Sequence, residues 1–119
     1  FGMLPLRWFL DQVPELGIAF DTGNFAFSRQ DVSVAYEMLK DRICHVHCKD
    51  RGVDEEKSLT DRDRYLKSVA VGSGYLPMAE LLGKLKDSGY EGWLVAEHYG
   101  HPDQMKAILA SAKFLKEQI

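Results

Sequence analysis

Short apolar runs alternate with longer amphipathic segments along this chain of 119 residues. The runs at 17–21, 43–48 and 93–97 have the length and the apolar character of buried strands. Between them, apolar residues recur every three or four positions, as on one face of a helix. Strands that alternate with helices pair in parallel through right-handed crossovers. The pattern therefore predicts an α/β fold with about three parallel strands and flanking helices.

Four helices are predicted from apolar spacing together with residues that favour helix ends. The first runs over 5–13, the second follows an N-cap at Asp31, and the third runs from Pro77 to Gly89. In the second helix the predicted inward face is formed by Val34, Ala35, Met38 and Leu39. In the fourth it is formed by Met105, Ile108, Leu109, Ala112 and Leu115.

The segment 51–68 is strongly polar and has no sustained apolar period. It is predicted to be a long loop with one helical turn over 62–67, either a functional lid or a solvated surface loop. The sequence Val-Gly-Ser-Gly follows at 71–74. It lacks the lysine and threonine of a phosphate-binding loop, so we expect a tight turn there.

The second strand has two chemically different faces. Because strand side chains alternate, one face is predicted to hold Ile43, His45, His47 and Lys49. The opposite face is predicted to hold Cys44, Val46 and Cys48. A strand that is apolar toward helices and polar toward an interior is typical of a parallel (β/α) barrel, whose active site lies at the C-terminal strand ends.

A residue able to bind a metal or carry a proton stands at or near the end of each predicted strand: Asp21, His47 and Glu97. Alternation places all three on the polar face, so a barrel would bring them to one mouth. Two carboxylates and an imidazole suit Mn²⁺, Zn²⁺, Co²⁺ or Mg²⁺ and leave positions open for a substrate. Taken singly, Asp21 also fits a turn residue that binds its own backbone, and Glu97 also fits the start of a solvated loop.

Composition narrows the class of protein. The net charge of −3, without a lysine or arginine run, argues against a nucleic-acid surface. No apolar run approaches the roughly 20 residues of a membrane helix, and no leader pattern is present, so we expect a cytoplasmic protein with no membrane partner. The two cysteines lie on one strand about four residues apart, which suits buried thiols in a reducing compartment better than a disulfide.

Four motifs, in order and spacing, carry a specific resemblance. They are Phe-Asp-Thr-Gly-Asn at 20–24, His-Val-His-Cys-Lys-Asp at 45–50, Val-Gly-Ser-Gly-Tyr at 71–75, and Gly-Tyr-Glu-Gly-Trp at 89–93 leading to Ala-Glu at 96–97. Together they resemble the C-terminal half of the xylose isomerase-like TIM-barrel superfamily. That group includes sugar phosphate isomerases and epimerases, ketose 3-epimerases, inosose dehydratases and endonuclease IV.

The resemblance implies that Asp21, His47 and Glu97 are metal ligands and that Glu97 also exchanges protons with the substrate carbon. Such sites are completed by a second glutamate on an earlier strand, and no candidate for it lies on a predicted strand before Asp21. Many members carry a histidine where this chain has Asn24. We assign Asn24 and His45 to substrate contact, although His45 also fits an interior histidine lower in the barrel.

Lys49 lies on the face of His47, one step nearer the predicted mouth, and is assigned a catalytic role. It would stabilise an enediolate oxygen or bind a substrate phosphate, and a plain salt bridge is the other reading. The function predicted is a divalent-metal-dependent isomerase or epimerase acting on a small-molecule sugar or sugar phosphate. The alternatives are an inosose dehydratase-like lyase on the same metal site and a non-catalytic fragment or assembly partner.

Length bears on the domain organisation. A complete barrel takes about 250 residues, so residues 1–119 are predicted to form a single C-terminal segment of one. An open half-barrel exposes a strand edge and an apolar inner face. The expected partner is therefore the missing N-terminal barrel half or a second copy of the chain.

Overall fold

A computed structural model describes residues 2–54 and 65–119 of the chain. Short 3-10 turns at Phe25–Ser28 and Lys40–Arg42 precede the second helix and the second strand, respectively. The helices and strands of the described residues are, in chain order, α1 (Met3–Gln12), β1 (Ile18–Asp21), α2 (Val32–Leu39), β2 (Ile43–Cys48), β3 (Asp50–Val53), β4 (Leu66–Val69), α3 (Met78–Asp87), β5 (Leu94–Ala96) and α4 (Gln104–Gln118).

Strands β1, β2 and β5 form a parallel sheet with β2 in the centre. Asp21 at the end of β1 is level with His47 of β2, and His47 is level with Val95 of β5. The described part of the sheet therefore has β1 and β5 as its two edges and does not close into a barrel. The predicted α/β fold, with three parallel strands and flanking helices, is confirmed.

The hydrophobic core lies between one face of this sheet and the helices. Phe20, Val46 and Cys48 are at most 1% exposed and pack with buried side chains from all four helices. The opposite face of the sheet is open: Val95 is 40% exposed, and Trp93, just before β5, is 78% exposed. One face of the sheet is thus covered by the helices, while the described residues leave open the face that would line a barrel interior.

The predicted faces of β2 are wrong at the start of the strand. The register with β1 shifts between Ile18 and Ala19, so that Ile43 and His45 have partners while Cys44 is an extra residue. Such a bulge interrupts the alternation of side chains. As a result Ile43 packs against the core, and Cys44 is exposed. From His45 onward the predicted alternation holds.

The polar segment after β2 contains a hairpin instead of the predicted loop. Strands β3 and β4 pair antiparallel, with Asp50 level with Val69 and Val53 level with Leu66. The predicted helical turn is wrong at Leu66 and Lys67, which lie in β4. Residues 62–64 of that turn and the body of the predicted lid fall within 55–64, outside the described residues. Backbone pairing satisfies the hydrogen bonds of these strands, and the buried residues at the start of β3, Asp50 and Arg51, are polar, so the segment shows no apolar period.

The inward faces of two helices also differ from prediction. In α2, Val34 is 53% exposed, whereas Val32, Ala35, Tyr36 and Leu39 are buried. In α4 the buried residues are Ala107, Ser111 and Leu115, while much of the predicted stripe is exposed: Met105, Ile108 and Leu109. The small side chains of Ala107 and Ser111 let α4 pack closely against the rest of the fold. Its more apolar stripe is left exposed by the described residues. Within the described residues, no helix combines the length and apolar character needed to cross a bilayer.

Candidate metal centre

The three side chains predicted as ligands meet at the C-terminal end of the parallel sheet. Asp21 ends β1, His47 lies near the end of β2, and Glu97 directly follows β5. Each offers a donor atom, and these atoms all lie within 4.8 Å of one another. His47 Nδ1 is 3.2 Å from Glu97 Oε2. Parallel strand ends therefore bring together residues that are up to 76 positions apart in sequence (97 − 21 = 76).

Asp21 is held in place by the turn that follows it. Its Oδ1 accepts hydrogen bonds from the backbone N–H groups of Gly23 (2.9 Å) and Asn24 (3.1 Å). This is the local turn contact that the sequence also allowed. It uses only one carboxylate oxygen, so Oδ2 is left to face the site. The turn and the site thus engage different atoms of the same side chain.

Lys49 places its ammonium group between the two carboxylates. Its Nζ is 2.9 Å from Asp21 Oδ2 and 2.9 Å from Glu97 Oε1, and the Lys49 side chain is 9% exposed. Asn24 Oδ1 accepts a third contact from Nζ at 3.3 Å. The salt bridge considered for Lys49 is therefore present, and it involves two of the three predicted ligands.

The backbone around Lys49 is fixed by Thr22, which is 1% exposed. Its hydroxyl accepts from Lys49 N (2.9 Å) and donates to Lys49 O (2.7 Å). Gly23 allows the lysine stem to pass: a Cβ at that position would lie 2.7 Å from Lys49 Cγ. The backbone of Lys49 is consequently fixed, and its stem runs closely past the turn after β1.

Charge pairing keeps Glu97 ionised. The hydrogen bond from Lys49 lowers the pKa of the Glu97 carboxyl below its usual value, the charges of Lys49 and His47 act in the same direction, and desolvation opposes them. At neutral pH the carboxylate form predominates, which is the form that binds a cation or accepts a proton.

The donor set fits a divalent metal ion. Two carboxylates and an imidazole are hard-to-borderline ligands of the kind that Zn²⁺, Mn²⁺, Co²⁺ and Mg²⁺ accept. Metal–ligand bonds of about 2.0–2.2 Å place the donors of one ion about 3 to 4 Å apart, close to the spacing of the three side chains. The positive charge of Lys49 already lies between Asp21 and Glu97, which shows that these carboxylates attract a cation.

The two residues predicted to contact substrate lie at different distances from this cluster. Asn24 borders it through its contact with the Lys49 ammonium. The ring of His45 lies edge-on to that of His47, with centroids 5.1 Å apart. His45 stands two residues before His47 on the strand, so it lies deeper on the open face of the sheet, away from the strand ends.

Sequence reasoning missed Arg51, which is 6% exposed beside the site. Its Nε donates to the Gly23 carbonyl oxygen at 3.2 Å, and its guanidinium lies 4.4 Å from the Phe27 ring centroid. Burial lowers the pKa of Arg51, while the charges of Asp21 and Glu97 act against that shift. Arg51 adds a second positive charge behind the carboxylates. Its place at the start of a polar segment gave no signal of burial.

Asp50 was also missed. It is 0% exposed, and its carboxylate accepts hydrogen bonds from the backbone N–H groups of four residues: Arg51 (2.8 Å), Gly72 (2.9 Å), Gly74 (2.9 Å) and Leu76 (3.3 Å). The predicted tight turn at 71–74 exists, and a hydrogen bond from Ser73 N to Ala70 O closes it. Asp50 is therefore the anchor that ties this turn to the start of β3, next to Lys49. The available sequence signal for this anchor was an aspartate just after a predicted strand, together with the glycine-rich turn at 71–74.

A third buried polar contact fixes the far side of the site. His98, 4% exposed, shares a hydrogen bond between its Nε2 and the hydroxyl of Ser111 on α4. Ser111 also accepts from Val71 N at 2.8 Å. Desolvation lowers the pKa of His98 below its usual value, which favours the neutral ring. His98 faces α4 and, through Ser111, links the segment after Glu97 to α4 and to the 71–74 turn.

Comparison with known proteins identifies relatives of matching architecture. The family model described as "Xylose isomerase-like TIM barrel" matches residues 6–118. The rhizopine catabolism protein MocC of Rhizobium meliloti is 35% identical over 96 residues, which are 75% of this chain and 30% of that protein. An inosose dehydratase of Lactiplantibacillus plantarum is 33% identical over 100 residues, 78% of this chain and 33% of the enzyme.

Two solved structures share the fold. A xylose isomerase domain protein from Planctomyces limnophilus superposes with a TM-score of 0.80 at 24% identity, over 99% of this chain and 43% of that one. A D-tagatose 3-epimerase-like protein superposes with a TM-score of 0.60 at 26% identity, over 92% of this chain and 39% of that one. The chain spans about a third of the length of the curated relatives named above. With a family model that covers residues 6–118, the chain belongs to the xylose isomerase-like TIM-barrel family.

Proposed function

We propose that this chain carries the metal-binding mouth of a divalent-metal-dependent isomerase or epimerase that acts on a sugar or sugar phosphate. The observation that carries the proposal is the convergence of Asp21, His47 and Glu97 from three parallel strand ends. Relatives named as dehydratase and as epimerase-like support an enzyme that handles sugar-like molecules.

Asp21, His47 and Glu97 would hold the ion. When bound, the ion would polarise the carbonyl and a neighbouring hydroxyl of the substrate. The Glu97 carboxylate would accept the proton from the carbon next to the carbonyl, and the C–H electron pair would form an enediolate. The Lys49 ammonium would donate a hydrogen bond to the oxygen that gains charge. Return of the proton to the other carbon, or to the other face, completes isomerisation or epimerisation.

The proposal includes a larger barrel. The open face of the sheet, with Trp93 and Val95 exposed, and the free edges β1 and β5 are the surfaces that further barrel strands would cover. We propose that residues 1–119 are the C-terminal segment of that barrel and that the other strands come from an N-terminal half or from a second copy. The two unpaired thiols, Cys44 and Cys48, agree with a cytoplasmic location.

A dehydratase is the second candidate, because the Lactiplantibacillus plantarum relative is named as an inosose dehydratase. The first step would be the same removal of a proton beside a carbonyl by Glu97. The enediolate would then expel a hydroxide from the next carbon, which leaves as water after protonation by an acid such as Lys49. The two candidates differ in product: a dehydratase releases water, and an isomerase retains every atom of its substrate.

The test uses the complete barrel protein and its Glu97→Gln variant, with Glu91→Gln as the control at an exposed position outside the site. We expect Glu97→Gln to lower bound Mn²⁺ or Zn²⁺ after dialysis and to reduce turnover by about 10³-fold or more, since a ligand and a base are both lost. Metal content is measured by mass spectrometry, and products from ketoses and from inososes are identified by NMR. Unchanged metal content together with unchanged turnover would contradict the proposal.

A further inference from the structure

We propose that Lys49 is an internal counter-cation that holds Asp21 and Glu97 together before a metal ion binds, and that the ion must displace the Lys49 ammonium to occupy the site. This inference rests on the proposed metal-dependent function. Binding of the metal ion and release of the Lys49 ammonium from the two carboxylates would therefore occur in one step.

The carboxylate oxygens themselves support displacement. Asp21 Oδ1 is occupied by two backbone N–H groups, so Oδ2 is the oxygen left for a cation, and Lys49 Nζ is 2.9 Å from it. Glu97 Oε1 is likewise 2.9 Å from Nζ, while Oε2 lies beside His47. The ammonium therefore pairs with both carboxylates that an ion held by all three residues would need, and with the oxygen of Asp21 that the turn leaves available.

Electrostatics makes the two cations competitors. An ammonium and a divalent ion that share two carboxylates would lie within a few ångströms of each other at a partly buried site, where like charges are poorly screened. The two carboxylates carry a charge of −2, which one divalent ion neutralises alone. Nothing in the charge balance of the cluster then retains the ammonium between them.

The structure provides a place for the displaced group. Asn24 Oδ1 is 3.3 Å from Lys49 Nζ and is a neutral acceptor, so it is able to keep the ammonium when the carboxylates turn to the ion. The Lys49 backbone stays fixed, because Thr22 holds it, and the stem runs closely past Gly23. Only the end of the side chain has to rotate. The released ammonium remains at the strand ends, where a substrate oxygen would lie.

The same arrangement explains how the two carboxylates coexist without metal. Without a cation between them, the carboxylates of Asp21 and Glu97 would repel each other. Lys49 removes that repulsion and at the same time lowers the affinity for metal, since each binding event must break two ion pairs. The site would therefore bind a metal ion that exchanges with solution.

The experiment compares the complete barrel protein with its Lys49→Met variant, and with Lys84→Met as the matched control. Lys84 also bridges two carboxylates, Glu37 and Glu80, at 3.3 Å each, but on the outer helices. Mn²⁺ affinity is measured by calorimetric titration, and thermal midpoints are measured with and without Mn²⁺. For Lys49→Met we expect Mn²⁺ to bind about 10-fold more tightly or better, and a metal-free midpoint lower by about 5 °C that saturating Mn²⁺ restores. Lys84→Met should leave the affinity unchanged.

A second variant keeps the test informative if Lys49→Met does not fold without metal. Asn24→Ala removes the acceptor for the displaced ammonium while the ion pairs of Lys49 remain, so we expect Mn²⁺ to bind several-fold more weakly. Equal or weaker Mn²⁺ binding by Lys49→Met, or unchanged binding by Asn24→Ala, would overturn the displacement while the metal site stands. Absence of Mn²⁺ and Zn²⁺ binding by the unmodified protein would overturn the proposed function and this inference together.

Discussion

Asp21 shows how a single side chain serves the fold and the site at once. One oxygen closes the turn through Gly23 and Asn24, and the other faces Lys49 and the proposed metal position. The two readings that the sequence left open for this residue are therefore compatible. The two roles belong to different oxygen atoms of Asp21, and strand alternation predicts only the face on which a side chain lies.

This division predicts different effects for two substitutions of Asp21. Asparagine keeps an oxygen for the turn, but its NH₂ group then faces the site, where it cannot bind a cation. We expect Asp21→Asn to lower Mn²⁺ affinity about 10-fold or more and to lose the ion pair with Lys49, while the turn keeps its acceptor. Asp21→Ala should lose the same affinity and in addition about 1 kcal/mol of stability, since two backbone donors lose their acceptor. Calorimetric titration and urea unfolding measure the two effects; equal stability losses for both variants would refute the separation.

At the scale of elements, the mouth of the sheet is assembled by buried polar anchors as well as by strand pairing. Asp50 ties the 71–76 segment to the start of β3, and Ser111 ties α4 to both Val71 and His98. These contacts join segments that the sheet itself does not connect. They determine where the loops around Lys49 and Glu97 lie.

The anchor at Asp50 predicts a large loss of stability on its removal. Asp50→Ala leaves four backbone N–H groups without their acceptor in a buried site, so we expect a loss of about 3 kcal/mol or more. Asp103→Ala is a matched control. Asp103 caps α4 by accepting an exposed hydrogen bond from Lys106 N, which contributes about 1 kcal/mol. Urea unfolding of the complete protein measures both. A loss at Asp50 no larger than that at Asp103 would show that the turn does not depend on it.

The sequence predicts some of these elements well and others poorly, for physical reasons. The meeting of Asp21, His47 and Glu97 followed from strand alternation and parallel pairing, which are local and regular. The hairpin β3–β4 and the burial of Arg51 did not follow, because a polar segment paired through its backbone shows no apolar period. The bulge at Cys44 was not predicted either, because no residue near it in the sequence requires a bulge.

At the scale of the whole molecule, apolar surface remains on two sides of the chain. Trp93 and Val95 are exposed on the open face of the sheet, and Met105 and Leu109 are 66% and 64% exposed on α4. In the proposed complete barrel, neighbouring elements would decide which apolar stripe of α4 is buried. The stripe that α4 turns away from its own core is the one we assign to a neighbouring helix in the ring of a complete barrel.

This assignment predicts opposite effects of one double substitution in two settings. Met105→Lys with Leu109→Lys should reduce self-association of the 119-residue chain, because it removes an exposed apolar patch. In the complete barrel the same pair should cost about 2 kcal/mol or more, since both side chains would then be buried. Ala110→Lys, an exposed position on another side of α4, should change neither property. Analytical ultracentrifugation of the chain and urea unfolding of the barrel give the two readouts. If the double variant leaves the barrel as stable as before, the stripe faces solvent and the packing of α4 in the ring must be assigned differently.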